Sequence, residues 1–318
     1  MEHEDAAVRV VFLGTGAFAV PSLEAVLEAG HDVAALVTQP DREKGRGRVL
    51  GAPPTKVLAE RRGVPVLQPA RIKDPRAIDE LRALRPDVQV VVAYGQILPR
   101  AVIDIPPLGT VNVHSSLLPR YRGAAPIQWA IVNGERETGV TTMRIDEGLD
   151  TGPILLARAT PIGGEETAAE LESRLARIGA EVLIETLEEL SRGTLVPRPQ
   201  DHARATLAPL LKKEDGHLEW ARTADEIARR VRGLQPWPGV VTTLGGAPLK
   251  VLRARAEAGP RTEAPPGTLL SVDRDGLVVA AGEGTRLRLL EVQAESRRAV
   301  PAAAFAAGAH LTPGARLG

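Results

Sequence analysis

A chain of 318 residues, 43% apolar and 25% charged, is long enough for two globular domains, each with its own core. It has no cysteine, which excludes disulfides and thiol catalysis, and no apolar run approaches the ~20 residues of a membrane span. Net charge is zero but unevenly spread. Residues 210–318 carry 16 basic against 12 acidic side chains, a balance that suits contact with a polyanion. The acidic opening Met1-Glu2-His3-Glu4-Asp5 leads into neither a signal core nor a transit pattern, so a cytoplasmic location without membrane contact is expected.

Residues 8–14 read as a buried strand and 21–29 as a helix stopped by Gly30. A strand over 32–37 follows, then a Gly-punctuated basic loop over 41–51, Lys44-Gly45-Arg46-Gly47-Arg48 at its centre, too polar to pack. Helices are predicted over 53–62, opened by Pro53 and Pro54, and over 75–85. The apolar run at 87–93 has the character of a central parallel strand covered on both faces. A strand at 109–114, a short helix at 126–132, strands at 140–145 and 154–159, and a long amphipathic helix over 167–190 complete a right-handed, mostly parallel α/β sheet. The Pro-rich stretch 194–210 reads as a linker. Beyond it come a helix at 223–233 and short strands near 240–244, 248–254, 267–273, 277–281 and 285–292, spaced as in a small β-barrel. The expected domains are therefore 1–193 and 211–318.

Two motifs compete for the chemistry of the first domain. Gly14-Thr15-Gly16-Ala17-Phe18-Ala19 follows a strand, precedes a helix and fits a dinucleotide-binding turn, with Asp41 about where a ribose-binding acid belongs. Glycines also serve any tight βα turn, and Asp41 opens a loop instead of ending its strand. The second motif is Asn112-Val113-His114, two polar residues on one face of a strand. A loop shaped by Pro and Gly follows, Ser115 to Pro126, and then Gly148-Leu149-Asp150-Thr151-Gly152. An amide, an imidazole and a carboxylate within about forty residues of one another suit acid/base and oxyanion work on a carbonyl. A carboxylate beside an imidazole also fixes its orientation. His3, His31, His202, His217 and His310 lack such company. Trp237, between Pro236 and Pro238, reads as a packing anchor, and no metal-ligand cluster is evident.

Asn112-x-His114, Ser116-Leu117-Leu118-Pro119-Arg120-Tyr121-Arg122-Gly123 and Asp150 between glycines resemble the folate-dependent formyltransferases. Thr38 to Arg42 with Gly45-Arg46-Gly47, Ala93-Tyr94-Gly95 with Ile97-Leu98-Pro99, Gly123 to Gln128 and Pro236-Trp237-Pro238 extend the resemblance over the whole chain, toward the branch that formylates methionyl-tRNA. The resemblance implies a Rossmann-like domain followed by an OB-like barrel that binds tRNA. It also implies Asn112, His114 and Asp150 as catalytic residues, with Ser116, Leu117, Leu118 and Pro119 at the folate. Arg46 then stands in a loop that meets the tRNA. Implied too are 10-formyltetrahydrofolate as co-substrate, initiator methionyl-tRNA as acceptor, no metal, and a monomer; a nucleotide-linked amino sugar is the alternative acceptor. Gly16-Ala17 and Ser115 depart from the family pattern, and neither touches the catalytic three.

Overall fold

The structure is a computed structural model that describes residues 7–44 and 49–318. Arg46 and the centre of the basic loop lie outside the described residues. Contacts divide the chain into two units that interleave in sequence. The first comprises Met1–Gly123, Glu137–Pro161 and Glu172–Ala208; the second comprises Ala124–Arg136, Ile162–Leu171 and Pro209–Gly318.

The first unit runs through β1 (Arg9–Gly14), α1 (Val20–Glu28), β2 (Asp32–Val37), β3 (Arg42–Lys44), β4 (Val49–Gly51), α2 (Pro54–Arg61), β5 (Val66–Leu67), α3 (Pro75–Ala83), β6 (Val88–Val92), α4 (Arg100–Ile103), β7 (Thr110–His114) and β8 (Arg122–Gly123). After α5 (Pro126–Val132), which belongs to the second unit, it resumes with β9 (Glu137–Arg144), β10 (Ile154–Pro161), most of α6 (Ala168–Arg192) and β11 (Leu207–Ala208). The seven-stranded sheet has the order β10-β9-β7-β6-β1-β2-β5. From β5 to β7 the strands are parallel; β9 runs antiparallel to β7, and β10 antiparallel to β9. All five residues of β6 are buried, as a strand covered on both faces requires. The chain leaves β1 toward β2 and returns to β6 on its other side. The C-terminal ends of β1 and β6 thus flank the crevice where open α/β sheets bind ligands.

Gly14 closes that edge. A Cβ there would lie 2.7 Å from the Phe12 ring and 3.0 Å from Val92 O, so the glycine is needed for strand packing. Two local expectations change. The flanks of the basic loop pair as the antiparallel hairpin β3–β4, because backbone hydrogen bonding there does not require an apolar face. The two-residue strand β5 was invisible to periodicity and exists because β2 offers it an edge.

The second unit adds α7 (Ala224–Gly233), β12 (Val240–Leu244), β13 (Ala247–Ala256), β14 (Leu269–Asp273), β15 (Gly276–Ala280), β16 (Arg286–Ala294), β17 (Val300–Pro301) and α8 (Ala302–Gly308). Its antiparallel sheet has the order β12-β13-β16-β15-β14, with β17 against β16. The C-terminal tail joins the two outer strands: Leu317 bridges Leu244, Arg316 bridges Thr268, and Leu269 N–H donates to Ala315 O at 2.8 Å. Sheet edges that would otherwise be open are thereby closed, as in a small barrel. Thr223 caps α7 in a reciprocal box with Glu226, whose carboxylate accepts the Thr223 N–H at 2.9 Å and is held below the usual glutamate range by those bonds. The expectation that Trp237 anchors this core is corrected: its side chain is 54% exposed. Trp220 takes the anchoring place, buried and donating from Nε1 to Thr242 Oγ1 at 2.9 Å.

Candidate active site

Asn112 and His114 occupy the C-terminal end of β7 and share a face by the period of the strand. His114 is buried, and its Nε2 lies 2.9 Å from the carbonyl oxygen of Tyr121. A carbonyl can only accept, so Nε2 carries a proton and the ring is fixed in one orientation. Its Nδ1 lies 3.6 Å from Asp150 Oδ2, beyond direct hydrogen bonding. Asp150 Oδ2 accepts the Gly123 N–H at 2.8 Å. Residues 121 and 123, on either side of Arg122, thus hold the imidazole and the carboxylate. The side-chain amide of Asn112 is half-buried and makes no hydrogen bond among the described residues.

Three non-glycine residues at this edge adopt left-handed backbone: Ala93 after β6 (φ 46°), Tyr121 (φ 59°) and Asp150 (φ 52°). Each costs roughly 1–2 kcal/mol relative to an ordinary conformation, and such residues cluster where geometry serves a ligand. Gly123 has φ 118°, and a Cβ there would sit 2.7 Å from Ala208 O. Only glycine lets β11 approach closely enough to pair in parallel with β8.

The stretch expected as a linker contributes to the site. Arg198 pairs with Ile154 across a β-bridge, and Gln200 is buried beneath the Asp150 loop. Its Nε2 donates to Asp150 O at 2.9 Å and to Gly152 O at 2.7 Å; its Oε1 accepts from Arg122 at 2.6 and 3.1 Å. Thr206 Oγ1 accepts the Tyr121 N–H at 2.8 Å. Sequence reading missed Gln200, Arg122 and Thr206. The only available signal was Gly123, whose need for a close neighbour could have been suspected.

Ser116 is fully buried, with Oγ donating to Arg120 O at 2.6 Å and its carbonyl accepting from Thr141 Oγ1 at 2.7 Å. Leu118 is buried as well, its N–H donating to Thr141 Oγ1 at 3.2 Å. Both shape the loop from inside, whereas Leu117 and Pro119 are partly accessible. Ile97, in the loop after β6, is 93% exposed. Tyr94 is buried with a hydroxyl that has no partner among the described residues, and burial pushes its pKa up to about 12.

The dinucleotide motif finds no support in these contacts. Asp41, the candidate ribose ligand, is paired with Lys56 at 2.8 Å and accepts from Gln68 at 2.7 Å. Thr15 Oγ1 donates to Tyr94 O at 3.0 Å and accepts from the Gln39 N–H at 3.3 Å, so the glycine turn is tied to its own protein. Among the described residues no group of acidic or histidine side chains is arranged to hold a metal, and no helix is long and apolar enough to cross a membrane.

Comparison with known proteins adds a second line. A family model described as formyl transferase matches residues 8–187, and one described as formyl transferase, C-terminal domain, matches 210–310. A methionyl-tRNA formyltransferase of Solibacter usitatus is 55% identical over 98% of this chain and 99% of its own length. That of Citrifermentans bemidjiense is 52% identical over 98% and 96%, and that of Myxococcus xanthus 52% identical over 97% of both. Among solved structures, an N-formyltransferase from Helicobacter canadensis, in complex with folinic acid and dTDP-3-aminofucose, superimposes with a TM-score of 0.67 at 17% identity, covering 89% of this chain and 99% of that one. HypX from Aquifex aeolicus with tetrahydrofolic acid gives 0.63 at 18%, over 95% of this chain and 47% of that one. At such identities these two show the shared fold alone.

Proposed function

The chain belongs to the formyl transferase family, and from that premise we propose that it moves a formyl group from 10-formyltetrahydrofolate to the α-amine of methionine on initiator methionyl-tRNA. The observation that carries the chemistry is the convergence of an unengaged amide, a fixed imidazole and a carboxylate at one sheet edge. The full-length likeness to named methionyl-tRNA formyltransferases supports the acceptor. A charged tRNA as acceptor favours a cytoplasmic site of action.

In this reading the folate supplies the activated carbon and the protein supplies position and electrostatics. The methionine nitrogen attacks the formyl carbon and the carbonyl electron pair moves onto oxygen. The Asn112 amide and the protonated Nδ1 of His114 donate to that oxygen. Nδ1 is the ring atom left for this task, because Nε2 is committed to Tyr121 O. Asp150 accepts the proton from the attacking nitrogen. The proton passes to N10 of the folate as the carbon–N10 bond breaks, so no covalent enzyme intermediate is required. A flat co-substrate with an apolar face suits the exposed Ile97 and the accessible parts of Leu117 and Pro119. Ser116 and Leu118 would define that site by holding the loop.

The second domain, with its basic excess, would hold the tRNA, and Arg46 would meet the acceptor arm as a phosphate contact. The test is transfer of radiolabelled formyl from 10-formyltetrahydrofolate to charged initiator methionyl-tRNA, beside a nucleotide-linked amino sugar and a reaction without acceptor. Label on the tRNA is the expected result. Label on the sugar alone would move the acceptor, and free formate alone would make water the acceptor.

A further inference from the structure

We propose that Gln200 is a positioning residue for formyl transfer, and that the segment from Arg198 to Ala208 is a strap that sets the distance between His114 and Asp150. The proposal rests on the reading of His114 and Asp150 as reacting groups. His114 ends β7 and Asp150 sits on a separate loop, and no direct hydrogen bond joins them at 3.6 Å. Their spacing must therefore be fixed by what holds each of them.

The holding groups converge on the strap. Thr206 Oγ1 receives the Tyr121 N–H, and Arg122 N–H donates to Thr206 O at 2.8 Å; Tyr121 in turn presents its carbonyl to His114. Ala208 pairs with Gly123, whose N–H holds Asp150 Oδ2. Gln200 completes the circuit from the other side. Its two amide hydrogens meet the carbonyls of Asp150 and Gly152, on either side of Thr151, while its oxygen meets the Arg122 guanidinium. Gln200 and Arg122 are 6% and 7% exposed, so water cannot readily replace either partner.

The residue type is specific to this job. Glutamine offers two donors and an acceptor in one plane, which matches two carbonyls on one side and a guanidinium on the other. A glutamate would keep the Arg122 pair as a charged one and turn acceptor lone pairs toward two carbonyl oxygens. The Asp150 loop, left-handed at φ 52°, would lose its two anchors while β8 kept its own.

Gln200→Glu is expected to lower kcat by about 10- to 100-fold, with KM for both substrates within twofold, and to lower the unfolding temperature, because two buried carbonyls lose their donors. Placed on Asp150→Asn, the same substitution should add less than about twofold, because the residue it positions is already disabled. Thr206→Val is a milder probe of the same strap and should lower kcat several-fold; it serves if Gln200→Glu fails to fold. Wild-type kcat in Gln200→Glu, or in Thr206→Val where that variant stands in, overturns the proposal. So does an undiminished effect of Gln200→Glu on the Asp150→Asn background. Wild-type turnover in Asp150→Asn alone would instead sink the reading of the reacting groups, and the strap would then have nothing to position.

Discussion

Two charged clusters in this protein, each centred on one buried side chain, Arg288 or His114, are built in opposite ways. In the second unit Arg288, on β16, bonds Glu257 at 2.7 and 2.9 Å and Asp273 at 2.6 Å, spending both faces of its guanidinium on fixed partners. In the first unit His114 and Asp150 stand 3.6 Å apart, each held by backbone, with a free amide beside them. The saturated cluster has no capacity left for a ligand, whereas the open one keeps donors and acceptors in reserve. Saturation marks structure and reserve marks chemistry. The same contrast separates Asp41, consumed by Lys56 and Gln68, from Asp150.

The largest effects should come from the open cluster. His114→Ala and Asp150→Asn are expected to lower turnover by at least ~10²–10³-fold, the usual loss when an oxyanion donor or its support is removed. Thermal unfolding should shift little, and tRNA affinity by filter binding should stay near wild type. A large loss of stability with intact turnover would reverse the contrast. Arg46→Ala should raise the KM for tRNA several-fold and leave that for the folate unchanged, read from steady-state kinetics with each substrate varied.

Arg288→Met should do the opposite of the His114 and Asp150 variants, lowering the unfolding temperature while kcat of the folded enzyme holds. The pairing also sets an acid limit. Arg288 keeps Glu257 and Asp273 below the usual carboxylate range. A depressed native pKa contributes stability above the unfolded value, near pH 4, and that stability is lost as pH falls through the lower native pKa. Acid titration of stability below about pH 4.5 should therefore be shallower in Arg288→Met.

Tyr94 gives the smallest effect. Its buried hydroxyl has no partner among the described residues, so Tyr94→Phe should be neutral or stabilising by up to about 1 kcal/mol in denaturant melts. The native pKa, raised to about 12, lies above that of the unfolded chain, near 10. Stability from this group is complete below pH 10 and falls as the pH rises toward 12. That alkaline loss should be reduced in Tyr94→Phe, and an unchanged alkaline limb would point to another group.

Most of the elements were legible in the sequence because burial leaves a periodic mark. The strands Asp32–Val37 and Val240–Leu244 and the helix Pro126–Val132 stand where apolar spacing put them. The family was legible because Asn112, His114 and Asp150 stand among turn residues that few other chemistries need. What the sequence left hidden was nonlocal. Nothing in Arg198-Pro199-Gln200 distinguishes a strap from a linker, since one buried glutamine after a proline has no period. Trp237 looked like an anchor by its place between prolines, whereas the fold buries Trp220 and leaves Trp237 exposed. The sequence by itself therefore determined the local elements and the residue types of the candidate site, through short-range sterics and the periodicity of burial. The tertiary structure alone decided the spacing of His114 and Asp150 and the partners that hold it, because those hydrogen bonds join residues up to 85 positions apart.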